Sequence, residues 1–137
     1  MSKRLAYCAG FFDGEGCICI THWKQNGYDG FSASISIGQK SKDILKTFQH
    51  IFGGNKRLYK QRLKTGTYYH WYIRNISEIK SFLLRLFTYF RYKKQQALWM
   101  LDFIRYKERI KNFRFTDIQR LTFEFYYIVL KDLKKSQ

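Results

Sequence analysis

The sequence predicts an α+β domain built on one mostly antiparallel sheet, and three observations lead there. Residues 31–37 alternate strictly, with Phe31, Ala33, Ile35 and Ile37 against Ser32, Ser34 and Ser36; a strand with one buried and one wet face has this period. Two pairs of β-branched and aromatic runs are each joined by a short turn containing glycine, which makes two hairpins. The segments before, between and after them carry apolar residues at helical spacing. The order is therefore α-β-β-α-β-β-α with more helix behind it. With 137 residues, the chain suits a single domain, 1–137, large enough to bury a core without disulfide or metal staples.

In chain order, residues 4–13 read as a short helix rich in small and apolar side chains, closed by Gly14 and Gly16. Residues 17–25 form the first strand and stop at Asn26-Gly27; residues 31–37 return beside it. A helix is expected over 41–52, with Ser41 as N-cap and Ile44, Leu45, Phe48, Ile51 and Phe52 as its apolar stripe. Gly53-Gly54 ends it. The second hairpin is expected over 56–62 and 68–74, turning at Thr65-Gly66. Helices follow over 77–90, 93–109 and 116–133, the last opened by a capping box of Thr116 and Gln119.

Charge sets the partner. Lys and Arg number 26 against 10 acidic residues, a net +16. Residues 56–90 are the most one-sided, with 8 basic side chains and 1 acidic. Such self-repulsion is relieved by a polyanion, and nucleic acid fits best. No run of about 18 apolar residues crosses a membrane, and the first residues lead into no signal-type apolar core. The expected setting is intracellular, without membrane contact; organelle, nucleus and bacterial or phage cytoplasm all stay open. Cys8, Cys17 and Cys19 have neither disulfide spacing nor a second ligand pair for zinc, and are expected as buried small apolar residues. His22 and His50 read as surface or structural side chains.

Alternation assigns a wet face to both hairpins. It presents Cys19, Thr21, Trp23, Gln25, Ser32, Ser34 and Ser36 on the first hairpin. With Leu58, Trp71 and Ile73 inside, the second presents Arg57, Tyr59, Gln61, Tyr68, His70, Tyr72 and Arg74. This set of donors and acceptors suits base edges, and a β-ribbon fits the major groove. An ordinary solvated sheet face would look similar; the charge favours DNA.

The sharpest feature is residues 7–16, Tyr-Cys-Ala-Gly-Phe-Phe-Asp-Gly-Glu-Gly. Gly10 and Gly14 weaken a helix by about 1 kcal/mol each, a cost that close approach of a second helix offsets. Asp13 and Glu15 sit at a helix C-terminus, where negative charge is disfavoured. A divalent cation held by Glu15 and a glycine carbonyl would reverse that sign, although acid-Gly-acid alone is more often a plain turn.

The stretch Cys8-Ala9-Gly10-Phe11-Phe12-Asp13-Gly14-Glu15-Gly16 strongly resembles the LAGLIDADG motif of homing endonucleases, with Cys8 where the family usually has Leu. The resemblance continues through Gln39-Lys40, the Gly-Gly step and Tyr92-Lys93-Lys94-Gln95-Gln96-Ala97, over roughly residues 5–105. It implies the LAGLIDADG core with a saddle-like sheet. It also implies that Glu15 binds Mg²⁺ (or Mn²⁺) with the Gly14 carbonyl, and that Asp13 braces the motif helices. Gln39 would help place the water network, and Lys93 would be the basic part of the pocket. Because one motif copy is present, a homodimer is implied. Its interface would be the small-residue face of Ala6, Ala9, Gly10, Asp13 and Gly14, and it would cut both strands of a near-palindromic double-stranded DNA site. The alternatives are an intron-RNA maturase, since exposed Trp23, Tyr59 and Tyr72 would suit base stacking, or a DNA-binding protein that does not cut. The last basic residues, Lys131, Lys134 and Lys135, read as a solvated helix end.

Overall fold

The computed structural model describes residues 2–112 and 114–135. Helix α1 (Lys3–Glu15) leads into strands β1 (Gly16–Gln25) and β2 (Tyr28–Gln39), then α2 (Asp43–Phe52). Strands β3 (Tyr59–Leu63) and β4 (Gly66–Ile73) form the second hairpin. Helices α3 (Ile76–Leu86), α4 (Lys94–Arg109) and α5 (Asp117–Lys135) complete the chain, with a 3₁₀ turn over Phe87–Tyr89. The expected α+β order is present. All strand pairs are antiparallel, in the order β1-β2-β4-β3.

The inner face of the sheet is apolar: Ile18, Ile20, Phe31, Ala33, Ile35, Ile37, Trp71 and Ile73 are all buried. Helices close over it through aromatic contacts. Phe48 of α2 lies 5.1 Å from Trp71, and Phe123 of α5 stacks on Phe31 at 5.3 Å. Phe12 of α1 meets Phe82 of α3 edge-on at 5.1 Å, so α1 is seated in the core by its inner side. Such pairs add specific geometry to the area they bury.

Several boundaries differ from the expectation for identifiable reasons. Helix α1 runs on through Gly14 to Glu15, and Gly16 caps it in extended conformation by donating its N–H to Phe12 O. Ser41 is not the cap of α2: Lys42 takes that place with helical torsions, while Ser41 Oγ accepts the Asp43 N–H at 3.4 Å. The stretch 56–58 is not strand. The Asn55 side chain takes the strand's role, donating to Arg57 O (2.7 Å) and His70 O (3.0 Å) and accepting from Tyr72 N (2.9 Å). At its other end the hairpin turns one residue early, with Lys64 and Thr65 between β3 and β4. The third helix stops at Leu86, where the chain tightens into the 3₁₀ turn. At α5 the capping box is present: Gln119 N donates to Thr116 Oγ1 at 3.2 Å, and Thr116 N to Gln119 Oε1 at 2.9 Å.

Helix α5 lies along the exposed edge of the sheet. It packs on α4 and β1, with Tyr127 5.9 Å from His22 and Lys134 against Cys17 and Cys19. An edge strand covered in this way cannot pair with another chain. Among the described residues no helix is long and apolar enough to cross a membrane.

Candidate functional site

Two features meet at the junction of α1 and β1: a wet sheet face and a polar pocket. The register makes the face continuous over four strands. Cys17, Cys19 and Thr21 stand opposite Ser36, Ser34 and Ser32. Ser36 pairs with Tyr72, His70 with Tyr59, and Tyr68 with Gln61. All of these point away from the core, so the expected donor-and-acceptor surface exists as one patch, with Trp23 and Gln25 exposed at the far end of β1. Arg74 follows β4, its guanidinium 4.2 Å from the Tyr72 ring. Arg57 stands in the loop before β3, exposed.

Part of this face is fixed rather than free. Trp23 Nε1 donates to Ser32 Oγ at 3.1 Å, and its ring lies so close over Gly30 that an added Cβ would fall 2.0 Å from it. His70 Nε2 is 2.8 Å from Gln61 Oε1, and its ring lies over Gly38, where a Cβ would come within 2.8 Å. Glycine at positions 30 and 38 is what lets the two rings lie on the sheet.

The pocket has a volume of about 590 Å³ and is lined by Asp13, Gly14, Gly16, Cys17, Tyr92, Lys93, Gln96 and Lys134. One side chain organises it. Asp13 accepts backbone N–H groups from Arg91 (2.7 Å), Tyr92 (3.3 Å) and Lys93 (3.0 Å). A carboxylate at the C-terminus of α1 is unfavourable alone, but here it faces the N-terminus of α4, where the helix dipole favours it. For Asp13 the compensation is thus α4. Lys93, only 9% exposed, donates from Nζ to Asp13 O at 3.0 Å. Burial lowers its pKa, and the charge of Asp13 opposes that shift.

Glu15, the last residue of α1, is exposed. The helix's last ladder acceptor is Phe12 O, which takes the Gly16 N–H, so the Gly14 carbonyl lies past the helical ladder. A carboxylate and a carbonyl are hard oxygen donors of the kind Mg²⁺ takes, the remaining positions going to water and phosphate. These two donors fit such an ion, and no cluster of three or more His, Cys, Asp or Glu suited to a metal occurs among the described residues. Gln39 ends β2 two residues beyond the Gly16–Ile37 pair, a register that sets it beside the α1–β1 junction.

On α1, Ala9 is fully buried and faces its own core, while Ala6 is half-buried. The outward stripe is Tyr7, 62% exposed, with Gly10 and Gly14, at both of which an added Cβ would meet open space.

Cys17, Gln96 and Lys134 line the pocket without having been read from the sequence as site residues. Cys17 and Cys19 are not buried apolar residues, and Cys19 stands on the face where alternation put it. They are half-buried on the wet face, their sulfurs 3.9 Å apart, with Lys134 Nζ 3.2 Å from Cys17 Sγ and 3.3 Å from Cys19 Sγ. The hydrogen bond shared with Cys19, with help from Lys134, lowers the Cys17 pKa to about 5; the same bond and burial raise that of Cys19. Alternation back from Thr21 pointed to Cys17. Lys134 is a half-buried pocket residue rather than a solvated end, and Gln96, buried at 2%, is the third. No sequence signal placed Lys134, because its position depends on α5 lying along β1. His22 is structural, as expected: Nε2 is 2.8 Å from Asp29 Oδ1, and the ring stacks on Phe31 at 4.4 Å.

The sequence matches the family model described as LAGLIDADG endonuclease over residues 8–108. A search of curated proteins gives no match. Solved structures share the fold. The homing endonuclease I-CvuI, crystallised in complex with its target in the presence of calcium, superposes with a TM-score of 0.76 at 20% identity, covering 95% of this chain and 81% of that one. The homing endonuclease I-TnaI gives 0.71 at 16% identity over 99% of both chains. An archaeal intron-encoded homing endonuclease complexed with DNA gives 0.65 at 18% over 96% of both. With the motif on α1, the four-stranded sheet and a family match across most of its length, this chain belongs to the LAGLIDADG endonuclease family.

Proposed function

We propose that the chain acts as a homodimer that makes a double-strand break in a long, near-palindromic DNA site by divalent-metal-dependent phosphodiester hydrolysis. The observation that carries this is the Asp13 clamp, which holds the Lys93 ammonium in the same pocket as Gly14, beside Glu15 and at the edge of the wet face. DNA lying on that face brings a backbone phosphate to the pocket. The relatives solved with target or DNA support a duplex partner.

Each residue has a derived task. Glu15 and the Gly14 carbonyl would hold Mg²⁺, which would supply an activated water and stabilise the leaving oxygen. Lys93, partly stripped of water by burial, presents a positive charge where the phosphate gains negative charge in the transition state, and a fixed charge in such a pocket costs little reorganisation. Asp13 fixes Lys93 rather than reacting. Gln39 orients water near the junction. The side chains of the sheet face read bases while the surrounding Lys and Arg neutralise phosphates. One site per protomer cuts one strand, so two-fold symmetry of the protein is mirrored in the DNA.

The test is selection from a randomised duplex library with purified protein and Mg²⁺, with the cut ends sequenced. A single long, near-palindromic site cut on both strands is the expected result. Glu15→Gln should then abolish cutting while leaving affinity for that site within a few-fold. Tight, salt-sensitive binding with no cleavage under any divalent metal would refute the nuclease reading and leave a binding protein or an intron-RNA maturase.

A further inference from the structure

We infer that Cys17 and Cys19 form a redox modification site, a dithiol that closes reversibly to a disulfide within β1 and reshapes the pocket at the α1–β1 junction. Residues two apart on a strand share a face, and here the two sulfurs are already 3.9 Å apart. Both are half-buried, and Cys17 lines the pocket at the α1–β1 junction. The Lys134 ammonium, 3.2 and 3.3 Å from the two sulfurs, stabilises negative charge on whichever sulfur attacks or leaves. Cys8 is fully buried and takes no part.

Closure has a structural consequence. A strand rises about 3.3 Å per residue, which sets same-face neighbours farther apart than the roughly 3.5–4.5 Å that disulfide Cβ atoms need; the strand must pucker between them, while Ile18 is anchored in the core at 0% exposure. A disulfide formed under such strain is readily reduced, the property of labile and regulatory disulfides. The pucker falls two residues after Glu15 and removes both sulfur partners from Lys134. With hydrogen peroxide as oxidant the chemistry balances. The Cys17 sulfur attacks one peroxide oxygen, the O–O bond breaks and water leaves, giving a sulfenic acid. The Cys19 sulfur then attacks the Cys17 sulfur, the S–S bond forms as the S–O bond breaks, and the hydroxyl leaves with a proton as water. A small dithiol reverses the step by exchange.

The effect on cleavage rests on the proposed nuclease function; the chemistry of the pair does not. The full chain, reduced and then treated with equimolar peroxide, is analysed by intact mass, by alkylation after denaturation and by peptide fragmentation. The expected result is a loss of about 2 Da on one chain, reversed by dithiothreitol, with alkylatable thiols falling from three to one and Cys8 as the survivor. Cys17→Ser and Cys19→Ser should each abolish the loss. Oxygen addition without that mass loss, or a bond only between chains on a non-reducing gel, overturns the inference. In the cleavage arm the oxidised form should cut at least about tenfold more slowly until reduced, a cost in the range expected when the support of a metal ligand is disturbed. An oxidised form cutting at the full rate overturns the gating role. A reduced form that never cuts refutes the nuclease reading, while the mass result still decides the dithiol.

Discussion

Asp13 gathers the amides of Arg91, Tyr92 and Lys93 onto one carboxylate, so the position of Lys93 depends on a residue 80 positions earlier in the chain. Asp13→Ala leaves those N–H groups without their charged acceptor. It should cost about 2 kcal/mol in urea denaturation and lower cleavage further by freeing the Lys93 backbone from the carboxylate, since only the main-chain carbonyl then still holds Nζ; Asp13→Asn, which keeps one acceptor oxygen, should recover part of both. A second residue-scale effect concerns pH. The hydrogen bond from His22, with the nearby positive charges, holds Asp29 below its ordinary value of 3.8. Its folded pKa being lower than the unfolded one, the stabilisation is complete above 3.8 and is lost as pH falls through the folded value. His22→Ala should therefore flatten the acid limb of a plot of urea midpoint against pH below about 4. At this scale the sequence was partly legible. Period-two alternation placed Thr21, Ser32, Ser34 and Tyr72 on the wet face, because that rule is local. The company kept by Cys17 and Lys134 was not legible, since those residues are 117 positions apart and meet only through the packing of α5.

Helices and strands differ in how far their ends could be read. The capping box of α5 is a local exchange of hydrogen bonds, and its residues announce it. The start of β3 is not local, because Asn55 satisfies the groups of His70 and Tyr72 that a longer strand would have paired. Helix α5 also shows why an element outside the family match, which ends at residue 108, still belongs to the core. Phe123 is fully buried, within 5.3 Å of Phe31 and 5.8 Å of Phe103, whereas Phe125, two residues on, is 59% exposed. Phe123→Ala should destabilise the fold by about 3–5 kcal/mol through loss of contacts and the cavity left behind. Phe125→Ala should cost less than about 1 kcal/mol. Equal losses in denaturant melts would show that α5 does not pack on the sheet in solution.

At the scale of the whole molecule, one chain completes the core, whereas the proposed function pairs two chains to cut two strands. Glu15 and the Gly14 carbonyl supply two hard oxygen donors to a site whose other positions go to water and phosphate, and the wet sheet face ends at the same α1–β1 junction. In the proposed homodimer two such junctions come together where α1 meets α1, and the outward stripe of Tyr7, Gly10 and Gly14 is the exposed surface proposed for it. Two chains of net charge +16 repel each other, so association relies on close backbone packing and strengthens as phosphates or salt screen the charge. Gly10 separates folding from pairing. An added side chain there meets open space within the chain, and a non-glycine residue favours the helix by up to about 1 kcal/mol. Gly10→Leu should therefore leave the urea midpoint of the isolated chain unchanged or raised, while driving the two helices apart. Sedimentation at about 0.3 M salt, where repulsion is screened within a few ångströms, should find the wild type as dimer and Gly10→Leu as monomer. Double-strand cleavage should disappear with the dimer. A Gly10→Leu protein that still sediments as a dimer and cuts both strands would place the interface elsewhere than on α1.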